Sequence, residues 1–212
     1  MRTPNSAEDM WMNKSKYEPP GWLSAWIDHI PRGAALDLGA GQGGLAAWLS
    51  ERGFNVTAVE RDPMMLSVLH NRIGGDRIKV VEADLAEFQP KPEHYSLIIA
   101  SSVLHFIHPR ALASVGQRLL AGLAPGGLLM AEVFTVDDPS CSERKAHLDQ
   151  IAPNTFALSE RSGLIHYFDQ GQLRSLFADL HILLYQEGRR LDSSSDFGYR
   201  AGATLIARRI NH

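Results

Sequence analysis

Residues 34–44 read AALDLGAGQGG, and the fold turns on them. The apolar run carries one acid, Asp37, and gives way to four glycines and an alanine between positions 39 and 44. Such a run is the pattern of a strand buried on both faces. The glycines let the chain turn sharply and let a ligand approach the backbone closely. Beyond them Leu45, Trp48 and Leu49 recur at helical spacing, so a helix opens here with unpaired N–H groups at its start. A bare strand-to-helix turn does not need so many small residues, because each weakens the fold through the entropy of the unfolded chain.

Working outward, the same alternation repeats. Asn55–Glu60 (NVTAVE), Arg77–Glu82 (RIKVVE), Tyr95–Ser101 (YSLIIAS) and Leu128–Thr135 (LLMAEVFT) read as further strands. Helices are expected over Gly43–Arg52, from Pro63 to about Ile73 with Asp62 as its cap, over Pro109–Leu123, and over Asp169–Phe177. Strands alternating with helices predict a parallel sheet with helices on both faces. The end differs. His181–Glu187 and Ala203–Arg208 are joined by RRLDSSSDFGYRAG, too short for a helical crossover, so those two strands should be antiparallel. Upstream, Gly21–Ile30 (GWLSAWIDHI) reads as one amphipathic helix stopped by Pro31 and Gly33. Two stretches stand outside the pattern. The arm of residues 1–20 is polar but carries Trp11, Met12 and Tyr17, and residues 136–168 form a cap insertion without a clean period. Everything from residue 21 to 212 reads as a single domain.

Composition narrows the function. The chain has 212 residues, 44% of them hydrophobic, 21% charged, with a formal net charge of −3. No broad basic face is expected, which argues against nucleic acid as substrate. No apolar run approaches the roughly 20 residues that span a membrane, and the N-terminus has no secretory core. A cytoplasmic protein, monomer or homodimer, is expected. Cys141 is the single cysteine, which excludes an intramolecular disulfide and a cysteine-rich zinc site.

Gly39, Gly41 and Gly44 satisfy the G-x-G-x-x-G fingerprint of dinucleotide binding, and Glu60 stands where a ribose-binding carboxylate belongs. The loop alone therefore fits NAD or S-adenosylmethionine (SAM). Three other features favour SAM. Asp37, two residues before the first glycine, suits the cationic ammonium of SAM and would repel a pyrophosphate. Glu82-Ala83-Asp84-Leu85 closes the third strand with a carboxylate able to accept from an adenine amino group. Pro125-Gly126-Gly127 and the antiparallel final pair do not belong to ordinary dinucleotide-binding halves.

With these motifs in place, Ala34–Leu66, Val80–Leu85, Tyr95–Phe106 and Pro125–Phe134 resemble motifs I to VI of the class I SAM-dependent methyltransferases. The resemblance implies a Rossmann-like α/β fold with a seven-stranded, mostly parallel sheet of order 3-2-1-4-5-7-6, the seventh strand antiparallel. It implies that Asp37 and the loop Gly39, Ala40, Gly41 and Gly43 hold the methionine moiety, with Glu60 on the ribose hydroxyls. By the same resemblance Arg61 lines the adenine, Asp84 takes its amino group and Leu85 covers the ring. Ser101 and Ser102 then lie near the transferred methyl. Many relatives carry cysteine where this chain has Ala40. NKSKYEPP, VTAVERDPMML and HYFDQGQLRSLF are similar to small-molecule methyltransferases of the tellurite-resistance and thiopurine type. Those proteins close their site with the N-terminal arm and the loop after the fifth strand. The function implied is methyl transfer from SAM, leaving S-adenosylhomocysteine (SAH), to a small-molecule acceptor. The alternatives are a SAM-binding regulator without catalysis and an NAD-dependent dehydrogenase.

The remaining candidates have plainer readings beside them. His105 follows the fourth strand, where a general base could sit; the plainer reading is a partly exposed loop histidine. The same holds for His108. His166 and Tyr167 line the cap or simply pack within it. Trp22, Trp26 and Trp48 read as core, Arg189 and Arg190 as a solvated strand end, and Cys141 has nothing nearby to activate it. No metal is expected, because no ligand spacing supports one.

Overall fold

The structure is a computed structural model that describes residues 17–72, 76–158, 163–192 and 195–210. Trp11 and Met12 of the arm, the expected helix end at Ile73 and the Gly74-Gly75 stop lie outside the described residues. Seven strands form one sheet: β1 (Ala34–Leu38), β2 (Asn55–Glu60), β3 (Ile78–Glu82), β4 (Tyr95–Ser101), β5 (Leu123–Phe134), and the late pair β9 (His181–Leu191) and β10 (Tyr199–Arg208). Their order is β3-β2-β1-β4-β5-β10-β9. β10 alone runs opposite in direction to the other six strands. This is the expected order, with three additional strands of a separate small sheet intervening in the numbering.

The buried runs explain the layers. Side chains alternate along a strand, so β1 sends Ala35 to one face and Leu36 and Leu38 to the other. On one face Leu36, Ile98, Ala131 and Leu205 pack against α4 (Pro109–Gly122) and α6 (Gln172–Leu176) through Leu112, Val115, Leu119 and Leu173. On the other, Ala35, Ile99, Met130 and Ile206 meet Leu45, Trp48 and Leu49 of α2 (Gly44–Glu51) and Leu66 and Leu69 of α3 (Pro63–Arg72). Each fully buried leucine contributes about 2 kcal/mol. Asp62 caps α3 as expected, its Oδ1 accepting from the N–H groups of Met64 at 2.9 Å and Met65 at 3.3 Å.

Several expectations need correction. Gly21–Ile30 is not one helix but α1 (Gly21–Ser24) followed by a 3-10 turn at Ile27–His29. The tighter turn leaves carbonyls that Arg32 takes, its Nη1 donating to Ile27 O at 2.6 Å and Ile30 O at 3.1 Å. The fifth strand starts at Leu123, not Leu128. Its pairing with β4 jumps from Tyr95–Leu123 to Leu97–Leu128, so Pro-Gly-Gly is a bulge inside the strand. The final hairpin is longer than expected, because Arg189, Arg190, Tyr199 and Arg200 are paired strand residues. The last helix is only five residues long.

The insertion is ordered where described. It comprises α5 (Pro139–His147) and a three-stranded antiparallel sheet of β6 (Gln150–Ala152), β7 (Thr155–Leu158) and β8 (Gly163–His166). Cys141, Phe156, Ile165 and Tyr167 give it a small core of its own. Those few apolar residues are spread over a helix, two short strands and the residue after them, so no single period marks them in the sequence.

Candidate functional site

Parallel strands bring their carboxyl ends to one edge, and the sequence-predicted site residues collect there. The glycine loop runs from β1 into α2 with Gly43 in the left-handed region at φ 77°. A Cβ at Gly43 would also stand 2.2 Å from the Leu69 side chain, so this position requires glycine twice over.

Asp37 lies at this edge, only 2% exposed, and its Oδ2 has no hydrogen-bond partner. Burial, reinforced by the charge of Glu60, pushes its carboxyl up to about 7. Glu60, ending β2, is turned onto the loop. Its Oε2 accepts from Gly41 N at 2.8 Å, and its Oε1 accepts from Arg61 N at 2.8 Å and Asp62 N at 2.9 Å. A carboxylate offers about four acceptor sites, so one remains for a ligand hydroxyl. Beyond β3, Asp84 accepts from Ala86 N at 2.8 Å and pairs with Arg61 Nη1 at 2.7 Å. Partial burial pushes the Asp84 carboxyl up, but the Ala86 N–H and the Arg61 guanidinium together outweigh it and hold the carboxyl below its usual range. Arg61 and Asp84 thus meet each other across the ends of β2 and β3. Leu85, half-buried, packs on the α4 face of the core.

At the end of β4, Ser101 pairs with Glu132, and Ser102 adopts φ 54° with its N–H donating to Glu132 O at 3.0 Å. A non-glycine residue in the left-handed region is strained, and such strain gathers at functional sites. The 3-10 turn Leu104–Phe106 follows. His105 is 1% exposed, which overturns its reading as a partly exposed loop histidine. Its ring lies 4.7 Å from that of Phe134 and 4.4 Å from that of Phe106, with Nδ1 unpartnered. Burial first, then the charges of Arg200 and His166, pulls its pKa down to about 3, so the imidazole is neutral. His108 caps α4 instead, its Nδ1 accepting from Arg110 N at 3.2 Å.

The sequence reading missed the polar groups on the β5–β10–β9 side. Arg189 and Arg190 are exposed at the end of β9 as expected, but Arg190 also pairs with the buried Glu132. Arg200 pairs with fully buried Asp138 at 3.1 Å and stacks on Phe134 at 4.1 Å. His166 shares a 2.9 Å hydrogen bond with Thr155 Oγ1, and Tyr167 OH lies 2.7 Å from Ser140 Oγ, so both serve the insertion. The Arg190–Glu132 and Arg200–Asp138 pairs join residues 58 and 62 positions apart, and no local spacing announces them.

Tyr17 closes the other side. Its ring lies over Gly44, where a Cβ would come within 2.6 Å of Tyr17 Cδ2. Burial and the charge of Asp37 push its hydroxyl up to about 12, which sets the arm beside the orphaned carboxylate. Among the described residues no group of three His, Cys, Asp or Glu side chains could hold a metal ion. No described helix is long and apolar enough to cross a membrane.

Residues 35–127 match a family described as "Methyltransferase domain". Carboxy-S-adenosyl-L-methionine synthase of Aeromonas hydrophila is 28% identical over 132 residues, 59% of this chain and 52% of that protein. The chain spans about half the length of the curated relatives it matches first. TehB of Haemophilus influenzae superposes with a TM-score of 0.69 at 21% identity, covering 95% of this chain and 66% of that one. The 1,6-didemethyltoxoflavin-N1-methyltransferase of Burkholderia thailandensis gives 0.67 at 22% identity, covering 96% and 82%. That structure holds 1,6-didemethyltoxoflavin and SAH. At these identities the structural likeness is one of fold. Residues 35–127 thus match the methyltransferase-domain family, and the chain shares its overall fold with these two structures.

Proposed function

We propose that the protein transfers the methyl group of SAM to a small-molecule acceptor. The observation that carries this reading is Asp37: a buried carboxylate oxygen without a partner, opening on a glycine loop. A cationic ammonium with N–H donors relieves it, whereas a pyrophosphate would meet a second negative charge. The residues present therefore fit SAM. Asp37 and Gly39, Ala40, Gly41 and Gly43 would hold the methionine moiety and Glu60 the ribose. Arg61, Asp84 and Leu85 would hold the adenine, with Ser101 and Ser102 beside the methyl.

When bound, SAM supplies a methyl on a positively charged sulfur, so displacement needs alignment more than acid–base help. The chain's part is to fix that geometry and exclude water. To His105, neutral and buried just beyond β4 with Nδ1 unpartnered, we assign a hydrogen bond to the acceptor, since an imidazole pulled down to about 3 is too weak a base to take its proton outright. Residues 10–20 and the insertion 136–168 would form the lid, a reading supported by the contact of Tyr17 with Gly44. The formal charge of −3 and the toxoflavin precedent favour a small acceptor over nucleic acid, in a cytoplasmic monomer or homodimer.

The test is product formation from methyl-labelled SAM against amines, thiols, phenols and carboxylates, followed by mass spectrometry. Labelled product together with SAH upholds a transferase. Tight SAM binding with no product from any class would instead favour a catalytically silent SAM-binding regulator.

A further inference from the structure

We propose that Arg200 anchors a carboxylate on the methyl acceptor, an inference that rests on the reading just given. Arg200 is the second residue of β10, at the end of that strand lying beside Phe134, since Gly202 stands opposite Phe134. Its guanidinium is fixed on two sides. Asp138 Oδ2 is 3.1 Å from Nε, and the Phe134 ring lies 4.1 Å beneath the central carbon. Among the described residues the two terminal amino groups have no hydrogen-bond partner, and the side chain is 21% exposed. Two parallel donors on a held plane are the fork that a carboxylate fits.

Asp138 explains why the fork stays put. It is fully buried, and its oxygens accept from Ser140 N at 3.1 Å, Ser140 Oγ at 2.5 Å and Ala201 N at 2.9 Å. It also caps α5, so the insertion sets the aim of Arg200. The neighbouring acid does not compete for the free edge, because Glu132 is already paired with Arg190. Location supplies the second argument. Phe134 also touches His105, which follows the end of β4 where the methyl is expected, so a single ring links Arg200 to that end of the sheet.

A carboxylate suits this guanidinium better than a phosphate. Arg200 brings one charge, already partly balanced by Asp138, and Arg190 is committed elsewhere. A dianion would be left under-neutralised, while a planar monoanion matches the two remaining amino groups.

Calorimetric titration tests this, using benzoate and succinate against benzamide and succinamide, on native protein with and without SAH. The acids should bind the SAH-loaded protein, and the amides about tenfold or more weakly. Arg200→Gln should weaken acid binding about 10- to 100-fold while leaving SAH affinity within twofold. Arg200→Lys keeps the charge opposite Asp138 but not the fork, and should fall between. Thermal unfolding of each variant separates loss of the site from loss of the fold. Binding of neither acid, equal binding of acids and amides, or acid binding undiminished in folded Arg200→Gln would overturn the proposal. If native protein binds the acids through Arg200 but takes up no SAH, the anion site stands and the methyltransferase reading falls.

Discussion

Tyr17 and Gly44 are in direct contact: the tyrosine ring occupies the space that any side chain at position 44 would need. Tyr17 is thereby tied to the first turn of α2, beside the carboxylate expected to hold the methyl donor. Gly44→Ala should leave the helix intact, since alanine is the better helix former by about 1 kcal/mol, yet push Tyr17 away. We expect faster amide exchange at the arm and weaker retention of SAH. Deleting residues 1–18 should likewise slow turnover while unfolding stays cooperative. Exchange that is unaltered in both the arm and the insertion when SAH is added would remove the lid.

Glu60→Ala should weaken SAM binding by about 1.5–3 kcal/mol, because a charge-assisted bond to ribose is lost. The structure adds a second consequence. Glu60 also accepts from Gly41 N and Asp62 N, so alanine loosens the loop as well. Glu60→Gln retains one carbonyl acceptor and should lose less. Calorimetry on both variants checks the order, and undiminished binding by Glu60→Ala would strike the assignment.

Asp37 gives a pH signature. Its folded pKa, about 7, lies above its ordinary 3.8, so the folded protein without ligand binds the extra proton. Stability from this group is therefore lost as pH rises from about 4 to about 7, by at most about 1.4 kcal/mol per unit. A bound ammonium favours the ionised form and reverses that loss. SAH affinity should rise with pH below 7 by up to about tenfold per unit and level off above it. Asp37→Asn should bind more weakly, with that pH dependence gone.

His105 should not titrate in the working range. With its pKa pulled down to about 3, the folded imidazole is neutral while the unfolded one protonates near 6.5. Stability is then lost as pH falls below about 6.5, and His105→Phe should reduce that acid sensitivity. Imidazole proton shifts of His105 that move between pH 5 and 8 would contradict the burial described here.

The parallel half of this fold is legible in the sequence because its signals are local. AALDL, NVTAVE and YSLIIAS are strands over the same residues in sequence and structure, and Asp62 and Pro63 mark a helix start by their own chemistry. What is not legible is what distance creates. Arg200 and Arg190 look like ordinary surface cations until β10 returns against β5 and sets them beside Asp138 and Glu132. His105 looks like a loop residue until Phe134 and the insertion cover it. The Pro-Gly-Gly bulge reads as a stop because glycine and proline mark turns and bulges alike.

The central claim is that the loop opened by Asp37 holds SAM and not a dinucleotide. Thermal unfolding with each ligand measures this directly, since a ligand at a hundredfold its dissociation constant adds about 2.7 kcal/mol of stability. SAM and SAH should raise the transition, and NAD and NADP should leave it where it is. A rise with NAD and none with SAM would contradict the account.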